Sequence, residues 1–229
     1  MLPRVADPVV LFEDEWILVV DKPSGLAVHS GAGVTDATVN DWAARYLGPR
    51  AIRNDFAASV AHRLDRETSG VVIIAKRRPA MRKLAEAFEQ HAVLKDYLAL
   101  VGGRLPHEEG RLDTPLMDLA RPGRMQTAVT AYRVEERFPS ATLIACSPGT
   151  GRKHQIRRHL AQLGCPVLGD SVYGAAGQNQ QAAEAWGLRR MFLHARSLTF
   201  AHPRDGAPVH VVAPLPAELT GVVRALSAL

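Results

Sequence analysis

A nine-residue polar segment, His62-Arg63-Leu64-Asp65-Arg66-Glu67-Thr68-Ser69-Gly70, runs straight into the apolar stretch Val71-Val72-Ile73-Ile74-Ala75. An uninterrupted, β-branched run of this kind reads as a buried strand. The polar residues before it, closed by Thr, Ser and Gly, read as the turn that feeds the strand. The sequence therefore predicts Asp65 at a strand edge, bracketed by Arg63 and Arg66. Flanking cations favour the ionised carboxylate, the form in which such a group does chemistry. On these residues alone, a surface Arg-Asp ion pair is the competing explanation.

With 229 residues, 47% hydrophobic and 22% charged, the chain can bury a full core, and residues 1–229 are read as a single domain. Met1 to Val10 contains Arg4, Asp7 and two prolines rather than an apolar signal core. No run approaches the roughly 20 apolar residues of a membrane span, so a cytoplasmic protein with no membrane partner is expected. Cys146 and Cys165 lack metal-ligand spacing and sit among apolar residues, which predicts buried, reduced thiols.

The net charge of +5 is concentrated. From Arg137 through Gly169 there is no Asp or Glu, and the stretch carries Arg137, Arg152, Lys153, Arg157 and Arg158, so the rest of the chain balances to zero. A focused positive patch suits a polyanion, most commonly nucleic acid. A solvated basic helix face gives the same composition.

Periodicity predicts a mixed α/β chain without repeats. Strands are expected at 9–12, 16–21, 71–76, 97–101, 127–135, 141–146, 191–201 and 208–212. Helices are expected from Asp36, as N-cap, to Leu47; from Pro79 onward, with Met81, Leu84, Ala85 and Phe88 inward; from about Arg152 to Leu163; and at the C-terminus, stacking Leu219, Val222, Val223 and Leu226. Placing Arg152, Lys153 and Arg157 at the start of the third of these helices opposes its dipole by about a few tenths of a kcal/mol each, so a docked phosphate or carboxylate is expected there. The segment Gly149-Thr150-Gly151-Arg152-Lys153-His154 lacks the Gly-Lys-Ser/Thr ending of a nucleotide P-loop. His154 and His159, five apart, fall on different helix faces and give no zinc site.

His62 to Gly70 closely resembles the catalytic motif of the RluA-type RNA pseudouridine synthases. The resemblance extends through LFEDEWILVVDKPSGLAVHSG (11–31), HRLDRETSGVVIIAK (62–76), KDYLALVGG (95–103), TAVTAYRV (127–134) and GTGRKHQIRRHLAQLGCPVLGDSVYG (149–174). It implies an α+β fold with a mixed, mostly antiparallel central sheet flanked by helices and an active-site cleft. The implied reaction turns uridine into pseudouridine in tRNA or ribosomal RNA. The glycosidic N–C bond breaks, the uracil turns, and a C–C bond forms to the same sugar carbon. No atoms are gained or lost, so no cofactor is expected.

By the same resemblance Asp65 is the catalytic aspartate, whether it attacks the sugar, attacks the base or removes a sugar proton. Arg152 is its ion-pair partner, with Arg157 as second choice. Tyr97 packs against the target base, where stacking is worth about 1–3 kcal/mol. The uridine is flipped out, and Arg63 fills the space it leaves. His62, Leu64, Ile156, Arg157, Lys153 and Arg158 complete the expected substrate contacts, with Leu64 and Ile156 as pocket wall or core.

Lys153 stands where the family has Ser or Thr, Arg158 where an apolar residue is common, Glu67 where Asp is usual, and Ser171 where Pro often follows Gly-Asp. With the first strand at about residue 9, no N-terminal S4 module is expected, so the catalytic domain recognises RNA by itself, as a monomer and without DNA as a partner. Two other classes share parts of the pattern. A glycoside-cleaving enzyme needs a second positioned carboxylate, and Glu67 points away from Asp65 in an extended segment. A non-catalytic RNA-binding protein needs the basic patch but not Asp65 and Tyr97 together.

Overall fold

The computed structural model describes residues 5–30 and 37–228. In chain order the elements are β1 (Val9–Glu13), β2 (Ile17–Lys22), α1 (Val39–Leu47), β3 (Ile52–Arg53), β4 (Phe56–Ala57), β5 (Ser59–Val60), β6 (Ser69–Ala75) and α2 (Arg78–Glu89). They continue with β7 (Leu94–Gly102), β8 (Glu109–Leu112), β9 (Leu116–Met117), β10 (Met125–Gln126), β11 (Thr130–Arg137) and β12 (Ala141–Pro148). α3 (Gln155–Gln162), α4 (Ala176–Trp186), β13 (Leu193–Ala201), β14 (Pro208–Val212) and α5 (Ala217–Ser227) complete the chain. The mixed α/β architecture with a mostly antiparallel sheet agrees with the sequence. Among the described residues no helix is long and apolar enough to cross a membrane.

The residues group into two compact units, one running to Lys95 together with Ala195–Pro214, the other comprising Asp96–His194 and the chain from Leu215 on. In the first, β1, β2, β6 and β13 lie side by side, with β14 on β13 and β5 on β6. β2 and β6 pair antiparallel from Ile17↔Ala75 to Lys22↔Gly70. Both alternating sets of side chains from Ile17 to Val20 and from Val71 to Ala75 are fully buried. That is why these strands read as continuous apolar runs rather than alternating ones. α2 lays Ala80 and Leu84 on the face formed by Ile17, Val19, Val71 and Ile73.

In the second unit β7, β12, β11 and β8 are neighbours in that order. Ala99, Val101, Ile144 and Cys146 pack against Ile156 and Leu160 of α3. Leu98, Leu100 and Leu143 pack against Trp186 of α4 and against Leu219, Val222 and Leu226 of α5. Cys146 and Cys165 are buried free thiols, each raised above the ordinary thiol range by burial.

Several sequence expectations are corrected. Thr38 caps α1 in a reciprocal capping box with Asp41, whereas Asp36 lies outside the described residues. On α2 Ala85 is exposed, and Ala80 and Ala87 take inward positions in its place. The strand expected over 127–135 starts only at Thr130 and runs on to Arg137 as β11, with 127–129 outside any strand. α4 was not anticipated because only Ala182 and Trp186 face inward on it, too few for an apolar stripe. α3 begins at Gln155, after His154 in the left-handed region at φ 55°, so Arg152 and Lys153 precede the helix. The expected conflict between their charge and the helix dipole does not arise in that form.

Gly70 starts β6 at φ 116°, and a Cβ there would collide with the Ala195 backbone carbonyl. Both the conformation and the close approach demand glycine at the junction of turn and strand. Gly70→Ala should therefore cost at least about 3 kcal/mol, read as a fall in the urea midpoint at unchanged m-value.

Candidate active site

The residues singled out by the sequence divide between the units, with His62 to Asp65 in the first and Tyr97 and the 152–158 segment in the second. In the first unit the turn carrying Asp65 is held at both ends. Ala61 N–H donates to Ile73 O at 2.8 Å, and Ile73 N–H donates to His62 Nε2 at 3.0 Å, so one residue of β6 anchors the entry to the turn. The His62 ring stacks on Phe88, with centroids 4.7 Å apart. Burial, helped by the charge of Lys95, pushes the imidazole down to about 3. It is therefore a neutral ring with Nε2 as acceptor and Nδ1 carrying the proton. His62, expected among the substrate contacts, is committed to the protein backbone.

Past Asp65 the chain closes a tight turn, Thr68 N–H donating to Asp65 O at 3.1 Å. The segment after β2 grips this turn. Gly25 N–H donates to Arg66 O, Ser24 Oγ to Glu67 O, and Arg66 Nε returns a bond to Gly25 O. The centre of the grip is Lys22, fully buried, whose Nζ donates to Pro23 O, Leu26 O and Arg66 O at 2.9, 2.9 and 3.0 Å. The sequence reading missed Lys22; its signal was a charged residue ending an apolar strand, immediately before Pro-Ser-Gly. Asp65 is half-buried, Leu64 is buried and Arg63 is exposed.

In the second unit Tyr97 is half-buried on β7 opposite Cys146 of β12 and packs against the core that includes Ile156. The 149–159 segment is organised by Gln155. Its Oε1 accepts from Thr150 Oγ1 and from Arg152 N–H, and its Nε2 donates to Val129 O and Thr130 Oγ1. His159 continues the chain, Nδ1 lying 2.9 Å from Thr130 Oγ1 and Nε2 3.0 Å from Thr114 O. A carbonyl can only accept, so the proton belongs on Nε2 and Nδ1 accepts from the Thr130 hydroxyl. Every proton in the network then has one direction. Burial, reinforced by the Arg158 charge and opposed by the Thr114 bond, lowers the pKa of His159 and keeps it neutral.

The cations of the acid-free stretch behave differently from one another. Arg137 is bound to Glu108 at 2.9 Å. Arg157 is buried and gives Nε and Nη2 to the two oxygens of the fully buried Asp170 carboxylate, at 2.6 and 2.8 Å. Its guanidinium also lies 5.1 Å over the Tyr173 ring. Burial alone would raise the Asp170 carboxyl, but Arg157 and the amides of Tyr173 and Val172 outweigh it and hold it below the ordinary carboxylate range. Arg152 is exposed, its Nε on Thr127 O at 3.0 Å. Lys153 is exposed and Arg158 half-buried. Two of the five charges are thus paired with carboxylates, and the focused patch is smaller than the sequence count. Asp170 is absent from the sequence expectations although it is the first carboxylate that follows those cations in the chain. Among the described residues no cluster of His, Cys, Asp and Glu is arranged to hold a metal.

His62 generates a stability prediction. Its folded pKa, about 3, lies below the ordinary 6.5, so the neutral form is the folded one. The unfolded chain takes up the proton first as pH falls, and the contribution, complete above about pH 6.5, is lost by up to about 1.4 kcal/mol per unit down to the folded value. His62→Gln, which keeps an acceptor near Nε2 but cannot titrate, should flatten this part of the pH dependence in urea unfolding between pH 7 and 4. His62→Leu should cost about 1–3 kcal/mol at pH 7 by stranding the Ile73 amide.

Comparison with known proteins gives one consistent answer. The sequence model of the family described as RNA pseudouridylate synthase matches residues 16–162. Ribosomal large subunit pseudouridine synthase C of Salmonella typhi is 41% identical over 222 residues, covering 92% of this chain and 67% of that protein. The protein of the same name from Escherichia coli (strain K12) is 41% identical over 218 residues, covering 90% and 66%. The chain therefore spans about two thirds of the length of these curated relatives. Among solved structures, human RNA pseudouridylate synthase domain containing 4 superposes with a TM-score of 0.81 at 27% identity, over 96% of this chain and 93% of that one.

Proposed function

Because this chain belongs to the RNA pseudouridylate synthase family, whose reaction isomerises uridine to pseudouridine within RNA, we propose that Asp65 is its reactive carboxylate and ribosomal RNA its substrate. The observation that carries the first part is the clamped turn. A catalytic group must be held to a fraction of an ångström, and the backbone on both sides of Asp65 is fixed by His62, Lys22, Ser24 and Gly25. The second part rests on the names of the relatives, both of them ribosomal large subunit enzymes. Transfer RNA is the other substrate class compatible with the family. The protein acts as a monomer in the cytoplasm, without DNA as a partner.

The reaction needs a carboxylate, a surface for the flipped base and a fixed positive charge. Tyr97 supplies the ring for the base, and Arg63, exposed in the clamped turn, the side chain that takes the vacated place. For the cation the resemblance names Arg152 first and Arg157 second. The local geometry supports the opposite order. Arg157 is buried and locked by two hydrogen bonds to Asp170, so its fork is oriented before substrate arrives. Arg152 is exposed, and with Lys153 and Arg158 it is suited to phosphate contacts.

Asp65→Asn should abolish pseudouridine formation in ribosomal RNA while leaving the thermal midpoint and RNA affinity near wild type. Turnover within a few-fold of wild type would remove Asp65 from the reaction. Retained RNA binding by a wild-type chain that forms no pseudouridine would instead point to the non-catalytic class. Arg157→Lys, which keeps the charge and loses the fork, should lower the single-turnover rate at saturating RNA by about 10-fold or more. Arg152→Ala should chiefly raise Kd, and the reverse ranking in single-turnover assays would restore Arg152 to the catalytic role.

A further inference from the structure

A second acid-free basic run lies outside the site. Lys76, Arg77, Arg78, Arg82 and Lys83 follow β6 and open α2 with no acidic residue before Glu86. Beside Lys76 is an open cleft of about 630 Å³ whose lining includes Glu13, Glu15, Arg50, Ile52 and Arg53. Arg50, Arg53, Lys76 and Arg77 share the carboxylates of Glu13 and Glu15. Lys76 takes Glu13 at 2.7 Å and Arg77 takes Glu15 at 3.1 Å. Glu13 also accepts the Tyr46 hydroxyl. Asp14 is committed to the amides of Trp16 and Ile17 and lies 2.9 Å from His202.

Arg50 and Arg53 therefore reach carboxylates that are already engaged, each at 3.8 Å, with side chains 68% and 51% exposed. Arg78 leans on the Asp55 backbone carbonyl, an acceptor without net charge. Arg82 lies one helical turn further along the same face of α2. The first turn of α2 holds no acid and its N-cap makes no side-chain bond, so the helix dipole adds to the field rather than relieving it. All four of these weakly compensated cations are arginines, whose planar fork fits phosphate oxygens in pairs.

We propose that Arg50, Arg53, Arg78 and Arg82 form a second RNA-backbone contact, engaging phosphates away from the target uridine. The inference rests on the reading of RNA as substrate. Distance argues for a separate contact. β6 carries seven residues between the turn of Asp65 and Lys76, and at about 3.3 Å per residue the cluster stands roughly 20 Å from that turn. Counted at about 3.4 Å of helix axis per phosphate of one strand, as in a DNA duplex, this is about six nucleotides of flanking RNA. The four arginines hold the flank of a long RNA and leave a short stem-loop untouched.

The test compares wild type with the triple variant Arg50→Gln, Arg53→Gln, Arg82→Gln, which spares the tight Lys76–Glu13 and Arg77–Glu15 pairs. Binding of large-subunit ribosomal RNA, and of a short stem-loop cut around the modified uridine, is followed against salt. For the long RNA the log-log slope should fall by about 2, at about 0.7–0.9 for each phosphate no longer neutralised. For the stem-loop the slope should not change, and the single-turnover rate at saturating RNA should stay within about twofold of wild type. The corresponding triple lysine variant should restore the slope. An unchanged slope on the long RNA would overturn the proposal and leave these arginines as solvated charge. An equal loss on the stem-loop would also overturn it, by placing the arginines at the target. A wild-type protein that forms no pseudouridine would strike the proposed function instead, and a slope difference confined to long RNA would still support this surface.

Discussion

The fully buried ammonium of Lys22 is the constraint on which the turn carrying Asp65 depends. A charge removed from water is tolerated only where acceptors surround it, and three backbone carbonyls, of Pro23, Leu26 and Arg66, converge on this one. Bonds to a charged donor are worth about 1.5–3 kcal/mol each, stronger than ordinary backbone bonds. One side chain thereby ties the loop leaving β2 to the turn of Asp65, which lies more than forty residues further on. Ser24, Gly25 and Arg66 add further bonds around the same junction.

The second unit solves a related problem with a neutral network. Gln155 and His159 join the start of β11, the loop at 150–152 and α3 through bonds whose donors and acceptors are all assigned. Such a chain has one low-energy arrangement of protons, and a misplaced proton leaves a buried group unsatisfied. The charged element beside it is separate. Arg157 and Asp170 form a buried, bidentate pair, and the same carboxylate accepts the amides of Val172 and Tyr173. A buried pair of this kind is weak evidence for net stability, but losing either partner is costly because it leaves the other charge buried and uncompensated.

Charge in this chain is therefore poorly described by counting. The stretch from Arg137 to Gly169 holds the whole net charge, yet Arg137 and Arg157 are paired with Glu108 and Asp170, which lie outside it in sequence. The run from Lys76 to Lys83 looks balanced at the level of the chain, yet the carboxylates near it are already engaged. Available charge is decided by which carboxylate each cation reaches, and only the fold sets those distances.

The sequence by itself determined the elements whose signal is local. The buried strand after Gly70, the α2 and α5 helices and the position of Asp65 in a turn followed from apolar runs, helical spacing and turn chemistry. The family resemblance was legible because its motifs are contiguous and ordered. What the tertiary structure decided were features set by partners distant in sequence. The start of α3 was misplaced because Gln155 binds Arg152 and Thr150 before the helix begins. The commitment of His62 to Ile73 depends on a strand eleven residues away, and that of Lys22 on a turn it meets only in the folded chain. Periodicity reports which face of an element is apolar. It carries no information on which polar group a buried donor finds, because that choice is made by long-range packing.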